Sequence, residues 1–208
     1  LARRGIRMEQ VPALDLTFNY FNMEDPTVGG YSTAQVALRR AIGLGIDSKK
    51  IIDYAYNGLG KVAQGPTLPH TSAYDPKLKT ECGDYDPARA RALLDLYGFL
   101  DKDGDGWRER PDGSPLVLRV STQTQARDRK ISEVLNNCMK VLGIRIQLAI
   151  AQWPENLKAA RSGTYQVWSV GGSSASPDSD SSAAASSPAS SPRRRWQATC
   201  ASTSSSPW

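Results

Sequence analysis

Histidine is the scarcest of the chemically versatile residues in this chain, since His70 is the only one among 208 residues. A Ser-His-Asp triad of the usual kind needs a histidine beside its nucleophile, and a two-histidine metal site needs a second one. His70 itself follows Pro69 in an irregular stretch, which is typical of a solvated loop residue. No nucleophile–base pair is visible, so the sequence predicts a protein that is not an enzyme. We assign it no metal ligands and no cofactor.

Cysteine is almost as sparse, and the spacings of Cys82, Cys138 and Cys200 match no metal-ligand pattern. The sequence leaves two alternatives open for these residues. Either they are unpaired thiols, with the third in the carboxyl-terminal tail, or Cys82 and Cys138 form a disulfide in an oxidising compartment.

Long hydrophobic runs are absent as well, and no stretch of about 18 apolar residues occurs that could span a membrane. The formal charge of +5 comes from two arginine clusters near the ends of the chain, at residues 3–7 and 193–195. The residues between these clusters are close to neutral. A nucleic-acid-binding protein would carry a basic face on its folded part, so no nucleic-acid partner is expected.

Helical patterns are clearest over residues 32–69. Ser32 or Thr33 can cap a first helix and Asp47 or Ser48 a second, because their side-chain oxygens accept bonds from free backbone N–H groups. Both helices carry apolar residues at helical spacing. These are Val36, Leu38, Ala41, Ile42 and Leu44 in the first helix, and Ile51, Ile52, Ala55 and Tyr56 in the second.

Strand patterns occur in four further stretches. They cover residues 14–22, 116–120, 145–150 and 164–170, which alternate in polarity or are rich in aromatic and β-branched residues. Helical patterns over residues 131–142 and 153–161 lie between the last three of these strand stretches. Strands that alternate with helices in this way predict an α/β fold.

Three signatures, in this order, resemble a known family. The first comprises Leu38-Arg39-Arg40-Ala41-Ile42, Ile46-Asp47, Tyr56-Asn57-Gly58-Leu59-Gly60 and Gly65-Pro66. The second is Tyr85-Asp86-Pro87-Ala88-Arg89-Ala90-Arg91-Ala92-Leu93-Leu94 with Gly98 behind it. The third is Leu142-Gly143-Ile144-Arg145-Ile146-Gln147-Leu148, followed by Gln152-Trp153 and Ser162-Gly163-Thr164-Tyr165. Together they resemble the family 5 extracytoplasmic solute-binding proteins, which are the peptide, dipeptide, oligopeptide and nickel receptors of ABC importers, over about Leu16 to Gly172.

The resemblance implies an α/β fold whose mixed sheet is flanked by helices. This sheet would be part of one lobe of a type II periplasmic-binding-protein fold, in which two lobes close about a hinge. Residues 1–17 would end the first lobe and cross over, and residues 18–172 would form part of the second lobe. Residues 173–208 would be a low-complexity tail.

The function implied by the resemblance is capture of a peptide or similar small solute outside the cytoplasmic membrane, in the periplasm or an equivalent compartment. Closure of the lobes would hold the solute until it is delivered to the permease subunits of an ABC transporter, so contact with the membrane would be indirect. Relatives carry a signal peptide and a first lobe before this point, whereas this chain begins Leu-Ala-Arg-Arg. We therefore expect a fragment that binds solute poorly by itself.

The candidate ligand contacts are Asn22, Thr122, Gln123, Gly172 and Ser173. Asn22 fits the aromatic-Asn strand of the family, where it either lies near the cleft or bonds a local turn. Thr122 and Gln123 belong to a polar loop that follows a strand, which is where open α/β sheets bind ligands; the alternative is a plain surface loop. Gly172 and Ser173 lie in the loop after the last strand. In dipeptide-binding relatives an aspartate of that loop pairs with the ligand's amino group, and Ser173 occupies its place here.

Two further features leave alternatives open. The first is Trp168, which is either an aromatic wall of the cleft or part of ordinary packing.

The second is the stretch of residues 101–106, which matches the start of a calcium loop. The twelfth position is Asp112 instead of the bidentate glutamate of an EF-hand, however, and a strand follows. These residues form either an Asp/Gly-rich hairpin connection or a weak calcium site. The alternatives to a transport function are accordingly a calcium-stabilised structural module and a solute-sensing lobe without a transport role.

The composition changes after Val170, which is the last Val, Ile, Leu, Met, Phe or Tyr of the chain. Serine, alanine, proline and an arginine triplet dominate from there on, and such a segment buries too little apolar surface to offset chain entropy. We expect residues 173–208 to be either a disordered tail or the product of a shift in the reading frame. Translation of the encoding DNA in the other two frames distinguishes these alternatives.

Overall fold

The computed structural model describes residues 14–173 and 196–204, and for Ser173 and residues 196–204 it describes the backbone alone. The strands of this part of the chain are β1 (Asp15–Asn22), β2 (Gly60–Val62), β3 (Val117–Thr122), β4 (Arg145–Ile150), β5 (Val167–Ser173) and β6 (Trp196–Ser204). Its α-helices are α1 (Thr33–Gly45), α2 (Ser48–Ala55), α3 (Pro87–Leu96), α4 (Ala126–Val141) and α5 (Trp153–Ser162). A short 3₁₀-helix covers Glu81–Gly83.

All six strands belong to a single mixed sheet in the order β2-β6-β1-β5-β3-β4. Strand β3 is parallel to both β4 and β5, because α4 and α5 each return the chain to the same end of the sheet before the next strand begins. Strand β1 runs antiparallel to its neighbours β5 and β6. The predicted fold class, an α/β mixed sheet flanked by helices, is confirmed.

The first two helices, α1 and α2, begin at residues whose side chains were expected to cap them. Ser32 accepts a bond from the backbone N–H of Gln35 at 3.3 Å, and the Gln35 side chain accepts one from the backbone N–H of Ser32, which forms a capping box. Asp47 caps α2 by accepting from the backbone N–H of Lys50 at 2.8 Å. Local hydrogen bonding therefore fixes where both helices start.

The two faces of the sheet are covered differently. On the first, which we call the helical face, α1 to α4 bury a continuous core that includes Phe21, Leu118, Val120 and Val167. The opposite face carries α5 and the segment after β2. Its buried residues form two smaller clusters, with Leu16, Phe18, Ala63 and Leu68 in one and Ala160, Tyr165 and Trp168 in the other.

Arg39 in the first family signature is a buried cation on α1, with only 3% of its surface exposed. Its guanidinium donates to the backbone carbonyls of Val28 at 2.6 Å and Gly30 at 3.0 Å. Burial lowers the pKa of Arg39 from its usual value, since a charge is costly away from water. The arginine of this signature therefore fastens the loop after β1 to α1.

The structure also bears on the cysteines and on the tail. Cys138 is a free, buried thiol, whereas Cys82 is disulfide-bonded. The alternative of a disulfide between Cys82 and Cys138 is therefore wrong, as is that of three unpaired thiols. Strand β6 falls within residues 173–208, while residues 174–195 and 205–208 lie outside the described residues. The division of the chain into segments 1–17, 18–172 and 173–208, and the choice between a tail and a frame shift, stay predictions.

Candidate functional site

One end of the sheet collects the termini of several strands. Strands β3, β4 and β5 end there, at Thr122, Ile150 and Ser173, and β1 starts there at Asp15 because it runs antiparallel to β5. We call this end the carboxyl edge. In open α/β sheets ligands bind in the crevice outside the carboxyl ends of the strands. The carboxyl edge is therefore the place to look for a site.

The helical face of the sheet becomes polar as it approaches the carboxyl edge. Alternate residues of β1 face the helices, so Phe21 lies in the core whereas Asn19 and Thr17 come closer to the edge. Strand β5 shows the same change, from buried Val167 to Ser169. Small polar side chains thus stand where the remainder of this face carries large apolar ones.

A groove opens above these polar residues, between the sheet and helices α2 and α4. It is small, with a cavity volume of about 30 Å³. Its lining consists of Thr17, Phe18, Asn19 and Ser169 from the sheet, Ile46, Ser48, Ile51 and Tyr56 from α2 and its ends, and Ile131 and Leu135 from α4. None of these side chains is charged. We call this feature the polar groove.

Tyr56 forms one end of the polar groove. Its hydroxyl lies 3.5 Å from the Thr17 hydroxyl, and the guanidinium of Arg127 stands 5.6 Å from the centre of its ring. Arg127 belongs to the first turn of α4, directly after the polar loop that follows β3. A cation therefore stands beside the groove without lining it.

Thr122 is the last residue of β3 and not part of the loop after it, and Gln123 follows, so both lie at the carboxyl edge. The Thr122 hydroxyl is 3.1 Å from the hydroxyl of Ser132 on α4, and its carbonyl accepts from the Asn156 side chain at 2.9 Å. Thr122 is thus held by neighbours on both sides of the sheet. Gln123 is partly exposed.

Gly172 and Ser173 end β5 at the same edge, opposite Leu16 and Asp15 of β1. Gly172 is exposed, and a side chain added there would meet nothing within 4 Å. The side chain of Ser173 lies outside the described residues. The backbone of β5 therefore reaches the edge with open space beside Gly172.

Asn22 lies at the end of β1 that is far from Gly172 and Ser173. Its backbone N–H donates to the carbonyl of Gln166, directly before β5, so the seven residues of β5, roughly 20 Å, separate it from Ser173. Its side-chain amide donates to the carbonyls of Gly163 at 3.0 Å and Tyr165 at 2.9 Å. Its side-chain oxygen accepts from the backbone N–H of Glu24 at 3.1 Å. This geometry favours the alternative in which Asn22 bonds a local turn.

Residues 101–106 make hydrogen bonds of their own. The Asp101 carboxylate accepts from the backbone N–H groups of Gly104 at 2.8 Å and Gly106 at 2.9 Å. Asp105 pairs with Arg145 of β4. The carboxylates of Asp101, Asp103 and Glu109 come within 4.8 Å of one another, but the three are exposed or half-exposed. The geometry favours a hairpin connection stabilised by its own aspartates.

Sequence reasoning missed the polar residues of the groove, Thr17, Asn19, Tyr56 and Ser169. A signal was present in β1, where Leu14, Leu16, Phe18 and Tyr20 alternate with Asp15, Thr17 and Asn19. Alternation predicts one polar face but does not say what that face meets. Here it meets helices and leaves a groove at the carboxyl edge of an α/β sheet.

The family follows from comparison with known proteins. A model of the family described as "Bacterial extracellular solute-binding proteins, family 5 Middle" matches residues 2–191. The chain therefore belongs to the family 5 bacterial extracellular solute-binding proteins. No helix in the described part of the chain combines the length and apolarity needed to cross a membrane.

Individual relatives are similar to this chain over part of their length. Di/tripeptide-binding protein 1 of Pseudomonas aeruginosa (strain UCBPP-PA14) is 25% identical over 171 residues, which are 76% of this chain and 30% of the relative. The nickel-binding periplasmic protein of Escherichia coli (strain K12) is 29% identical over 120 residues, which are 56% of this chain and 22% of the relative. The chain thus spans less than a third of the length of these relatives.

Solved structures share the fold. The oligopeptide-binding protein AppA of Bacillus subtilis, in complex with a nonapeptide, superposes with a TM-score of 0.71 at 20% identity, over 81% of this chain and 33% of the AppA chain. NikA of Brucella suis, in complex with Fe(III)-EDTA, superposes with a TM-score of 0.68 at 23% identity, over 82% of this chain and 33% of that chain. At these identities the likeness establishes the fold alone.

Proposed function

We propose that this chain acts as part of the substrate-binding component of an ABC importer and captures a small solute at the carboxyl edge of its sheet. The observation that carries this proposal is the family match over residues 2–191. The polar groove supports it, because it sits where open α/β sheets bind ligands and offers hydroxyl and amide groups to replace the solute's water. Binding requires no reaction, and we propose no catalytic role for the chain.

Within this proposal, the chain corresponds to part of the second lobe, and closure against a first lobe completes the site. Thr122, Gln123, Gly172 and Ser173 form the rim of the site at the carboxyl edge. The solute is delivered to the permease subunits, which connect the protein to the membrane. Capture of the solute takes place in the periplasm or an equivalent extracytoplasmic compartment.

A peptide is the first solute to test. The similar proteins include a di/tripeptide-binding protein and a receptor solved with a nonapeptide. The polar groove contributes no charged side chain, and Ser173 stands where dipeptide-binding relatives carry an aspartate. A neutral hydroxyl does not replace a carboxylate as counter-ion to an amino group. Because the polar groove offers no charged side chain, we propose that this chain binds the uncharged part of the peptide there.

The experiment is a titration of the ¹⁵N-labelled chain with alanyl-alanine, followed through backbone amide resonances, since NMR detects the weak binding expected of part of a site. We expect the amides of Asn19 and Ser169 to shift with saturation. Ser169→Leu fills the polar groove and should abolish these shifts. Gln147→Leu, on the exposed surface of the edge strand β4, is the matched control and should leave them unchanged.

Two results would contradict the proposal. One is a saturating response to nickel–histidine or to haemin, with none to the peptide, which would replace the peptide by another solute class. The other is the absence of any saturable shift at the carboxyl edge with all three solutes, which would remove the binding function itself.

A further inference from the structure

Asp128, in the first turn of α4, carries a carboxylate without a hydrogen-bond partner among the described residues. Its Oδ2 atom is enclosed by the protein and accepts no bond there. An enclosed acceptor left without a donor destabilises a fold, and native structures contain few such atoms. A positively charged donor that arrives from outside the chain would offset this cost.

Such a donor can reach the Asp128 carboxylate from solvent. The residue as a whole is only half-buried. Its second oxygen, Oδ1, also makes no hydrogen bond within the described part of the chain, but it is not enclosed as Oδ2 is. Because the two oxygens share one negative charge, a cation that bonds Oδ1 stabilises the whole carboxylate.

The turns of α4 place Asp128 at the carboxyl edge. Ile131 and Leu135, three and seven positions later on the same side of the helix, line the polar groove. Ser132, four positions later, has its hydroxyl 3.1 Å from that of Thr122 at the end of β3. Since α4 begins at this edge and helical side chains tilt towards the helix start, Asp128 lies one turn further out than these residues. Its carboxylate therefore stands over the outer end of the polar groove, beside the end of β3.

The electrostatics of this position favour an incoming cation. Burial raises the pKa of Asp128 from its usual value, and the nearby Arg127 acts in the opposite direction. The Arg127 guanidinium lies over the ring of Tyr56 and makes no ion pair with Asp128 among the described residues. A positive charge placed beside the carboxylate would stabilise its ionised form, which burial disfavours.

We propose that Asp128 binds the amino group of a peptide whose uncharged part lies in the polar groove. The peptide ammonium donates to the Asp128 carboxylate, which takes the part of the aspartate that Ser173 replaces. The counter-ion then comes from α4 instead of from the loop after the last strand. This inference rests on the proposed function and adds that the solute carries a free amino group.

The experiment compares alanyl-alanine with N-lactoyl-alanine, in which a hydroxyl replaces the amino group, by titration of the ¹⁵N-labelled chain. Alanyl-alanine should bind about three- to tenfold more tightly, as expected for one charge-assisted bond to a half-exposed carboxylate. Asp128→Asn should abolish this difference and leave the binding of N-lactoyl-alanine unchanged. Glu133→Gln is the matched control, because it removes one exposed negative charge from the same helix, and it should preserve the difference.

A second measurement uses the unchanged chain and so does not depend on how a variant folds. The pKa of the Asp128 carboxyl is followed by ¹³C NMR with and without each compound. Saturating alanyl-alanine should lower this pKa, because an ammonium at hydrogen-bond distance favours the ionised form. N-lactoyl-alanine carries no cation and should leave the pKa where it is.

The remaining outcomes each decide the matter. Equal affinity for the two compounds in the unchanged chain, or an Asp128 pKa that alanyl-alanine does not lower, would refute the amino-group contact while the proposed function stands. An Asp128→Asn variant that loses both compounds equally would assign Asp128 a purely structural role. If neither compound produces a saturable shift at the carboxyl edge, the proposed function fails and the amino-group contact with it.

Discussion

Replacement of Asn22 separates a structural role from a ligand-binding one. The Asn22 side chain makes three hydrogen bonds, to the carbonyls of Gly163 and Tyr165 and from the backbone N–H of Glu24, and it is 4% exposed. Each such bond contributes about 1 kcal/mol net, and the partners left behind are themselves partly buried. We therefore expect Asn22→Ala to lower the free energy of unfolding by about 2–4 kcal/mol.

Asn22→Asp is the sharper version of the same test. It keeps the size of the side chain but replaces the two N–H donors by a carboxylate oxygen, which then faces two carbonyl oxygens. An uncompensated buried charge of this kind destabilises by about 3–5 kcal/mol. The aspartate variant should therefore be less stable than the alanine variant, although it differs less from asparagine in shape.

The assay is urea unfolding followed by far-ultraviolet circular dichroism, with the denaturant slope checked for constancy between variants. The control is Asn19→Ala, three residues earlier on the same strand, where the side chain lines the polar groove. The Asn19→Ala variant should change the free energy of unfolding by less than about 0.5 kcal/mol and should weaken the binding of alanyl-alanine. An Asn22→Ala variant with unchanged stability but no solute binding would refute this reasoning and restore Asn22 to the site.

Three further predictions concern regions outside the carboxyl edge. Millimolar calcium should not raise the melting temperature relative to EDTA, because the aspartates of residues 101–106 already accept bonds from their own turn; a rise that EDTA reverses would reinstate the calcium site. The Ser114 hydroxyl and backbone N–H, together with Arg110, lower the pKa of Asp112 from 3.8 to about 2. The stability that Asp112 adds is therefore present above about pH 3.8 and is lost as the pH falls towards 2. The urea midpoint of the Asp112→Asn variant should accordingly vary less with pH over that window than the midpoint of the unchanged chain. Burial raises the pKa of the Cys138 thiol, so Ellman's reagent should modify Cys138 only after unfolding; rapid modification of the native chain would contradict its burial.

The starts of α1, α2 and α3 could be predicted from the sequence because their signals are local, whereas α4 begins after Gln125, which makes no side-chain cap bond. Ser32, Asp47 and Asp86 each lie directly before an apolar pattern of helical period, and each accepts a bond from a backbone N–H three residues on. Such a bond forms whatever the rest of the chain does. The α/β class follows from the order of the same local patterns.

The position of Asn22 could not be predicted in this way. An aromatic-Asn pair at the end of a strand has the same local pattern whether the strand leads towards a cleft or away from it. The direction depends on β1 pairing antiparallel with β5, which is about 145 residues later in the chain. Only that pairing places Asn22 at the end of the sheet far from Gly172.

The polar groove could not be predicted from the sequence either, because it also depends on pairing between distant segments of the chain. The residues that line it nevertheless support a function. Thr17, Asn19 and Ser169 occupy positions on the helical face where leucine or valine would each add about 1.5–3 kcal/mol by burial. Selection for stability alone would fill such positions, since the neighbouring Phe21 and Val167 show that this face can bury large side chains. Local departures from the packing rules concentrate at functional sites. If Ser169→Leu gains stability while it loses solute binding, the groove is maintained against its own folding cost, and capture of a solute is the function that explains it.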